Sequence, residues 1–128
     1  MRILLIEPGC PPAVQEIDGS LYSMQALVGG TIQALYPFED EVALICNDDG
    51  KCLDLPLNRA LYQPESGQLY DIIAGTFFLC GAPKDSEVFV SLTDAQIHRY
   101  QQRFAVTEHY VRIGGQLLMI QSERGDEA

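Results

Sequence analysis

Between Thr31 and Leu61 the chain reads TIQALYPFEDEVALICNDDGKCLDLPLNRAL, a series of short apolar runs separated by turn residues. It reads as three consecutive strands joined by two turns, closing on a polar loop that carries Asn58 and Arg59. In Thr31–Tyr36, alternation puts Ile32, Ala34 and Tyr36 on one face. Pro37-Phe38-Glu39-Asp40 turns the chain. Glu41–Cys46 then has Val42, Leu44 and Cys46 on one side and Ala43 and Ile45 on the other. Being apolar on both sides, it belongs inside a sheet. Asn47-Asp48-Asp49-Gly50 between two apolar runs is a hairpin signal, because such a turn needs positive φ. Lys51–Leu55 returns as the third strand, and Pro56 stops it.

The flanking segments extend this pattern. Arg2–Glu7 contains the continuous run ILLI and reads as a strand buried on both faces. Pro8-Gly9 and Pro11-Pro12 turn the chain, and Ala13–Ile17 suits a second strand in a hairpin with the first. Asp18 or Ser20 caps a helix whose stripe is Leu21, Met24, Leu27 and Val28, and Gly29-Gly30 ends it. Leu57–Tyr70 reads as a surface loop with a helical turn near Asn58–Leu61. DIIAGTFFLC, Asp71–Cys80, reads as one buried strand with Gly75 at a bulge or a close backbone approach. Thr93-Asp94-Ala95-Gln96 matches a capping box, opening a helix to about Phe104 that buries Ile97, Tyr100 and Phe104. Residues 105–122 read as a closing hairpin about Gly114-Gly115, and 123–128 as a frayed acidic tail. The expectation is one domain over 1–128 with its core in 2–104. Its class is α+β: a mainly antiparallel sheet of about five to seven strands with two helices packed on one face.

Charge narrows the possible partners. Eighteen acids against eight bases give a formal charge of −10. Such a surface repels phosphate backbones and anionic membranes, so neither direct nucleic-acid binding nor membrane binding is expected. Six acids (Glu39, Asp40, Glu41, Asp48, Asp49 and Asp54) fall within sixteen residues that hold one base, Lys51. They are either solubilising turns or an acidic surface that docks a basic partner. No apolar run approaches the ~20 residues that cross a bilayer, and MRILLIEPG is too short for a secretory apolar core of about 7–15 residues. A cytoplasmic protein is expected.

Little in the sequence points to catalysis. Cys10, Cys46, Cys52 and Cys80 show no C-x-x-C spacing, and His98 and His109 are the only histidines, so no zinc site is expected. Cys46 and Cys52 could face each other across a hairpin, although reduced thiols are expected in the cytoplasm. No residue places a nucleophile beside either histidine, and both read as surface residues. Gly29-Gly30 follows a helix instead of opening one, so it cannot aim a helix N-terminus at a phosphate. Asn47–Gly50 lacks the glutamate and the flanking helices of a calcium loop. No catalytic residue, metal or cofactor is assigned. The best remaining candidate for ligand binding is Arg59 with Asn58, and with Asn47 and Tyr36 around them. A guanidinium can fork onto a carboxylate or phosphate. The alternative is that Arg59 pairs with an acid such as Asp40 or Asp71 while Asn58 caps a turn.

The phrases IEPG, LVGGTIQALYPFEDEVALICNDDGK, LPLNRAL, and DIIAGTFF followed by SLTDAQI occur in this order within residues 2–104. In that combination the chain resembles the domain-of-unknown-function 3846 family of Gram-positive bacteria, their phages and conjugative elements. The resemblance implies no activity, cofactor or catalytic residue. It implies an accessory role in a mobile element, with a protein partner. The function expected is therefore a small binding protein that docks another protein. The alternatives are a small-molecule binder or enzyme using the Asn58-Arg59 loop, and an acidic DNA mimic.

Overall fold

The computed structural model describes residues 1–122; the acidic tail expected at 123–128 lies outside them. The chain runs β1 (Arg2–Ile6), β2 (Ala13–Glu16), α1 (Leu21–Val28), β3 (Ile32–Leu35), β4 (Val42–Asn47), β5 (Leu57–Tyr62), β6 (Leu69–Ala74), β7 (Phe77–Gly81), α2 (Asp94–Arg103), β8 (Thr107–Ile113) and β9 (Gln116–Ser122). Five strands form one antiparallel sheet in the order β2-β1-β7-β4-β3. Two further antiparallel pairs, β5–β6 and β8–β9, stand apart from it as ribbons. The class is α+β, as the alternating short runs and two capped helices require.

The three inner strands, β1, β7 and β4, are those whose sequences are apolar on both faces. Ile3, Leu5, Ala43, Ile45, Phe78 and Cys80 face α1 through Met24 and Val28. Leu4, Ile6, Val42, Leu44, Phe77 and Leu79 face the opposite layer, where Ile97, Tyr100 and Phe104 of the α2 segment meet Leu61 and Ile73 of the β5–β6 ribbon. The two helices therefore lie on opposite faces, which corrects the expectation of both on one. An apolar stripe states that a helix is covered but not by which side of the sheet. A sheet apolar on both faces needs both covered.

Local signals placed the helix ends. Ser20 accepts from the Ser23 amide at 3.1 Å, and Gly29, at φ +79°, donates to the Gln25 carbonyl at 2.8 Å. The Thr93 hydroxyl accepts from the Gln96 amide at 3.1 Å while the Gln96 side chain accepts from the Thr93 amide at 2.9 Å, completing the capping box. Gly114 and Gly115 turn the C-terminal hairpin at φ +59° and +81°, where positive φ at both positions suits a type I′ turn.

Three expectations are corrected in the middle of the chain. Lys51–Leu55 is not a third strand. Leu53 donates to Asp49 and Leu55 to Gly50, at 2.8 and 3.0 Å, winding these residues into a loop. Gly50 serves close approach instead of a hairpin turn, since a Cβ there would lie 2.7 Å from the Ala74 carbonyl. Leu57–Tyr62 is a strand and not a loop, because its apolar partners in β6 lie across a ladder that local sequence does not reveal. Asp71–Cys80 is not one strand. It breaks at Gly75, at φ +84°, whose amide donates to the Pro56 carbonyl at 2.7 Å, so β6 and β7 enter different sheets. The expected close approach at Gly75 is present, with a Cβ there meeting Leu55 at 2.8 Å.

All four cysteines are free thiols, and loss of the third strand removes the cross-hairpin arrangement of Cys46 and Cys52. Burial pushes the Cys46 thiol up to about 11 and the Cys80 thiol up to about 12. Two predictions follow from this geometry. In a thiol-labelling time course at mild alkaline pH, exposed Cys10 and Cys52 react quickly, whereas Cys46 and Cys80 react only when denaturant is added. Gly75→Ala forces a side chain into positive φ against Leu55, and should lower unfolding free energy by about 2 kcal/mol in urea titration.

A candidate functional site beside the C-terminal hairpin

Asn58 and Arg59 lie at a register shift in the β5–β6 ribbon: Leu57 opposes Ala74 and Arg59 opposes Ile73, which leaves Asn58 as the extra residue. The bulge turns Asn58 inward. Its amide donates to the carbonyls of Ile6 and Gly75, both at 2.9 Å, tying the ribbon to the end of β1 and to the break before β7. The Asn58 side-chain oxygen accepts from Arg59 Nη1 at 2.8 Å. Arg59 Nη2 donates to the Cys10 carbonyl at 2.7 Å and to the Phe104 carbonyl at 3.1 Å, and Nε reaches Phe104 at 3.4 Å. Both side chains have 0% exposure.

Asn58 and Arg59 are thus bonded to each other, and both face the interior. Neither Asp40 nor Asp71 is the partner of Arg59. Asp40 binds Arg99 at 2.5 Å and accepts from Tyr100, while Asp71 binds Lys51. Among the described residues Arg59 is in no ion pair, and the acid whose charge acts on it is Glu108 of β8, itself only 8% exposed. Glu108 Oε1 accepts from the Ala60 amide at 2.8 Å and from the Tyr110 hydroxyl at 2.5 Å. Burial lowers the pKa of the Arg59 guanidinium, and Glu108 opposes that shift. Burial also raises the Tyr110 phenol, and its bond to Glu108 adds to the shift, so Tyr110 remains a neutral donor.

Asn47 and Tyr36 are not hydrogen-bond partners in this cluster. Asn47, at the end of β4, donates to the Val28 carbonyl at 3.1 Å and accepts from the Asp49 amide at 2.7 Å, closing the C-terminus of α1. Tyr36 follows edge strand β3 and is exposed. The acids also separate. Glu39, Asp40 and Glu41 precede β4 and Asp48 and Asp49 follow it, so strand geometry holds the groups roughly 20 Å apart. Asp54 lies farther on, in the loop before β5, at φ +59°. Glu39, Glu41, Asp48, Asp49 and Asp54 are exposed, whereas Asp40 is half-buried in its contacts with α2. His98 and His109 are exposed. Among the described residues no three His, Cys, Asp or Glu side chains gather as a metal-holding group, and no helix is long and apolar enough to cross a membrane.

Glu108 and Tyr110, at the outer side of the polar cluster, line a feature that the sequence did not reveal. Between the β5–β6 ribbon and the β8–β9 hairpin runs an open groove of about 1110 Å³. Leu57, Leu69, Tyr70 and Ile72 line it from one ribbon, and Tyr110, Val111 and Leu117 from the other. Lys51, Asp54, Asp71 and Arg112 add charges of both signs. Neither Asn58 nor Arg59 is among the lining residues. The hairpin that forms one wall exposes apolar residues on both faces. Register puts Val111 opposite Leu118 and His109 opposite Ile120 on one face, with Tyr110 opposite Met119 and Arg112 opposite Leu117 on the other. Ile113 is 62% exposed, Ile120 56% and Leu118 43%. The sequence did carry a signal: LLMI is apolar without alternation, which normally marks an inner strand, yet only β8 pairs with it among the described strands.

Truncating Arg59 removes the donors that the Cys10 and Phe104 carbonyls and the Asn58 side-chain oxygen accept from, and leaves these buried groups unsatisfied. Arg59→Ala should therefore lower stability by about 3–5 kcal/mol in urea titration. Arg59→Lys should recover only part of it, since an ammonium cannot reproduce the planar fork. A variant that retains full stability would show that the guanidinium does not hold these elements together.

Comparison with curated proteins and with solved structures finds no match. The family described as Domain of unknown function (DUF3846) matches residues 1–105. That span covers β1 to the end of α2, including Asn58 and Arg59, while Glu108, Tyr110 and the hairpin follow it. The chain belongs to the DUF3846 family.

Proposed function

We propose that this protein is a binding module that docks another protein, with an apolar segment of the partner seated in the groove between the β5–β6 ribbon and the β8–β9 hairpin. One observation carries the reading: a long open groove with exposed apolar walls, Leu69 and Val111 among them, in a chain whose formal charge is −10. Exposed apolar surface on so charged a protein is costly in water, and contiguous patches of it mark interaction sites. The mixed charges at Lys51, Asp71 and Arg112 suit the polar rim that surrounds an apolar contact. The family resemblance adds the setting, a cytoplasmic accessory factor of a phage or mobile element.

The arrangement gives less support to the two alternatives. A ligand site built on Asn58-Arg59 would need donors facing a cavity, and those of Arg59 are directed to Asn58, Cys10 and Phe104. A DNA mimic would need carboxylates in a ridge, and here they divide between the two ends of β4, with Asp40 held by Arg99.

The test is capture from host lysate by the purified protein at low and high salt, with a double variant, Leu69→Asp and Val111→Asp, beside it. The proposal expects a partner retained at both salt concentrations and lost by the variant. A partner released by salt alone would place docking on the acidic turns. Equal capture by both proteins would overturn the groove.

A further inference from the structure

Strand β9 is paired along one edge only: it pairs with β8, and no other described strand meets its outer edge. A free edge is a row of N–H and C=O groups ready for another strand, which proteins ordinarily blunt with charge, proline, bulges or brevity. β9 has none of these. It runs for seven residues, QLLMIQS, without a charged residue or proline, in unbroken register from Thr107 opposite Ser122 to Ile113 opposite Gln116. The outer strands of the main sheet differ. β2 has four residues, includes Glu16 and follows Pro11-Pro12, while β3 has four residues with Pro37 close behind.

We propose that β9 pairs antiparallel with β9 of a second copy of this chain, about a two-fold axis through Met119, so that the two hairpins form one continuous sheet. The occupant follows from charge and from symmetry. Two chains of net −10 repel each other wherever their acidic turns meet. Along β9 no ionised side chain is brought into opposition, and on the rest of the hairpin Arg112 is exposed while Glu108 is buried, accepting from the Ala60 amide and the Tyr110 hydroxyl. A two-fold axis normal to a sheet must set residues of the same face opposite each other. Met119 is the middle residue of Gln116–Ser122 and meets that condition. It then faces its own counterpart, Leu118 faces Ile120 of the second copy, and Gln116 faces Ser122 of the second copy. Leu118 and Ile120 lie on the same face as Val111, so pairing merges apolar strips that each monomer leaves exposed. Such an interface is isologous and closes on itself, giving a dimer and not a fibre. The inference rests on the outer edge of β9, whereas Leu117 is the one β9 residue that lines the groove.

Sedimentation equilibrium of the full chain across a concentration series tests it. The expected result is a dimer whose population rises with protein concentration. It should also rise with added salt, because salt screens the repulsion between two acidic chains. Met119→Lys sets ammonium against ammonium at the axis and should return the protein to monomer, with an unchanged far-ultraviolet circular dichroism spectrum and a cooperative melt showing that the fold persists. In a Cys10→Ser, Cys52→Ser background, Met119→Cys should form a covalent dimer on mild oxidation, since directly opposed residues lie within disulfide reach. Leu69→Asp should leave the dimer intact, which separates failure of the groove from failure of the edge. A monomer at every concentration overturns the proposal, as does a dimer indifferent to Met119→Lys or a Met119→Cys protein that does not cross-link. If Met119→Lys does not fold, the cross-link decides.

Discussion

A guanidinium with no solvent exposure is the constraint on which the remaining architecture depends. Burying the charge of Arg59 costs several kcal/mol unless its donors and its charge are both met. The donors are met by carbonyls from the loop after β1 and from the end of α2 and by the neighbouring Asn58, and the negative charge of Glu108 on β8 opposes the effect of burial. These groups belong to elements far apart in sequence. Arg59 therefore ties the β5–β6 ribbon to the C-terminus of α2 and to the loop after β1, Asn58 ties it to the end of β1, and Glu108 ties the hairpin to Ala60 of β5. Ladder hydrogen bonds hold each sheet together, whereas Leu61 and Ile73 bury the β5–β6 ribbon in the core and polar groups directed at single atoms set its position.

This mode of attachment explains the shape of the surface. A ribbon docked face down on a sheet would have buried its apolar residues. The β8–β9 hairpin is anchored at its start, by Thr107 and Glu108, both buried, and extends outward with every residue from Val111 to Gln121 exposed. Its apolar residues cannot reach the core, and the space between it and the β5–β6 ribbon is left as the groove. The acids are distributed differently. They occupy loops before and after β4, where charge keeps turns hydrated, and Asp40 alone among the six is drawn against α2.

The elements legible in the sequence are those whose signals act over three or four residues. Ser20 and Gly29 bound α1, the Thr93–Gln96 reciprocal bonds open α2, and Gly114-Gly115 turns the hairpin. β1 and β4, apolar on both faces, were legible as inner strands. The segment from Lys51 to Cys80 was not, since its conformation is set at a distance. Gly50 accommodates the Ala74 carbonyl and Gly75 accommodates Leu55, contacts with residues 24 and 20 positions away in sequence. A glycine that permits a turn and a glycine that permits an approach look the same in sequence. The Asn58-Arg59 pair was legible as a polar pair in an acidic chain, but a buried arginine and a ligand-binding arginine share the same chemistry, and sequence does not separate them.

The sequence by itself determined the class of the fold, the ends of both helices, the inner strands and the C-terminal turn, because caps, alternation and positive φ are properties of neighbouring residues. Only the tertiary structure decided that the helices lie on opposite faces, that one apolar run is divided between two sheets, and that Arg59 is buried against the Cys10 and Phe104 carbonyls. Those outcomes depend on which distant groups satisfy a buried charge and which face of a doubly apolar sheet remains to be covered, and no local pattern encodes either.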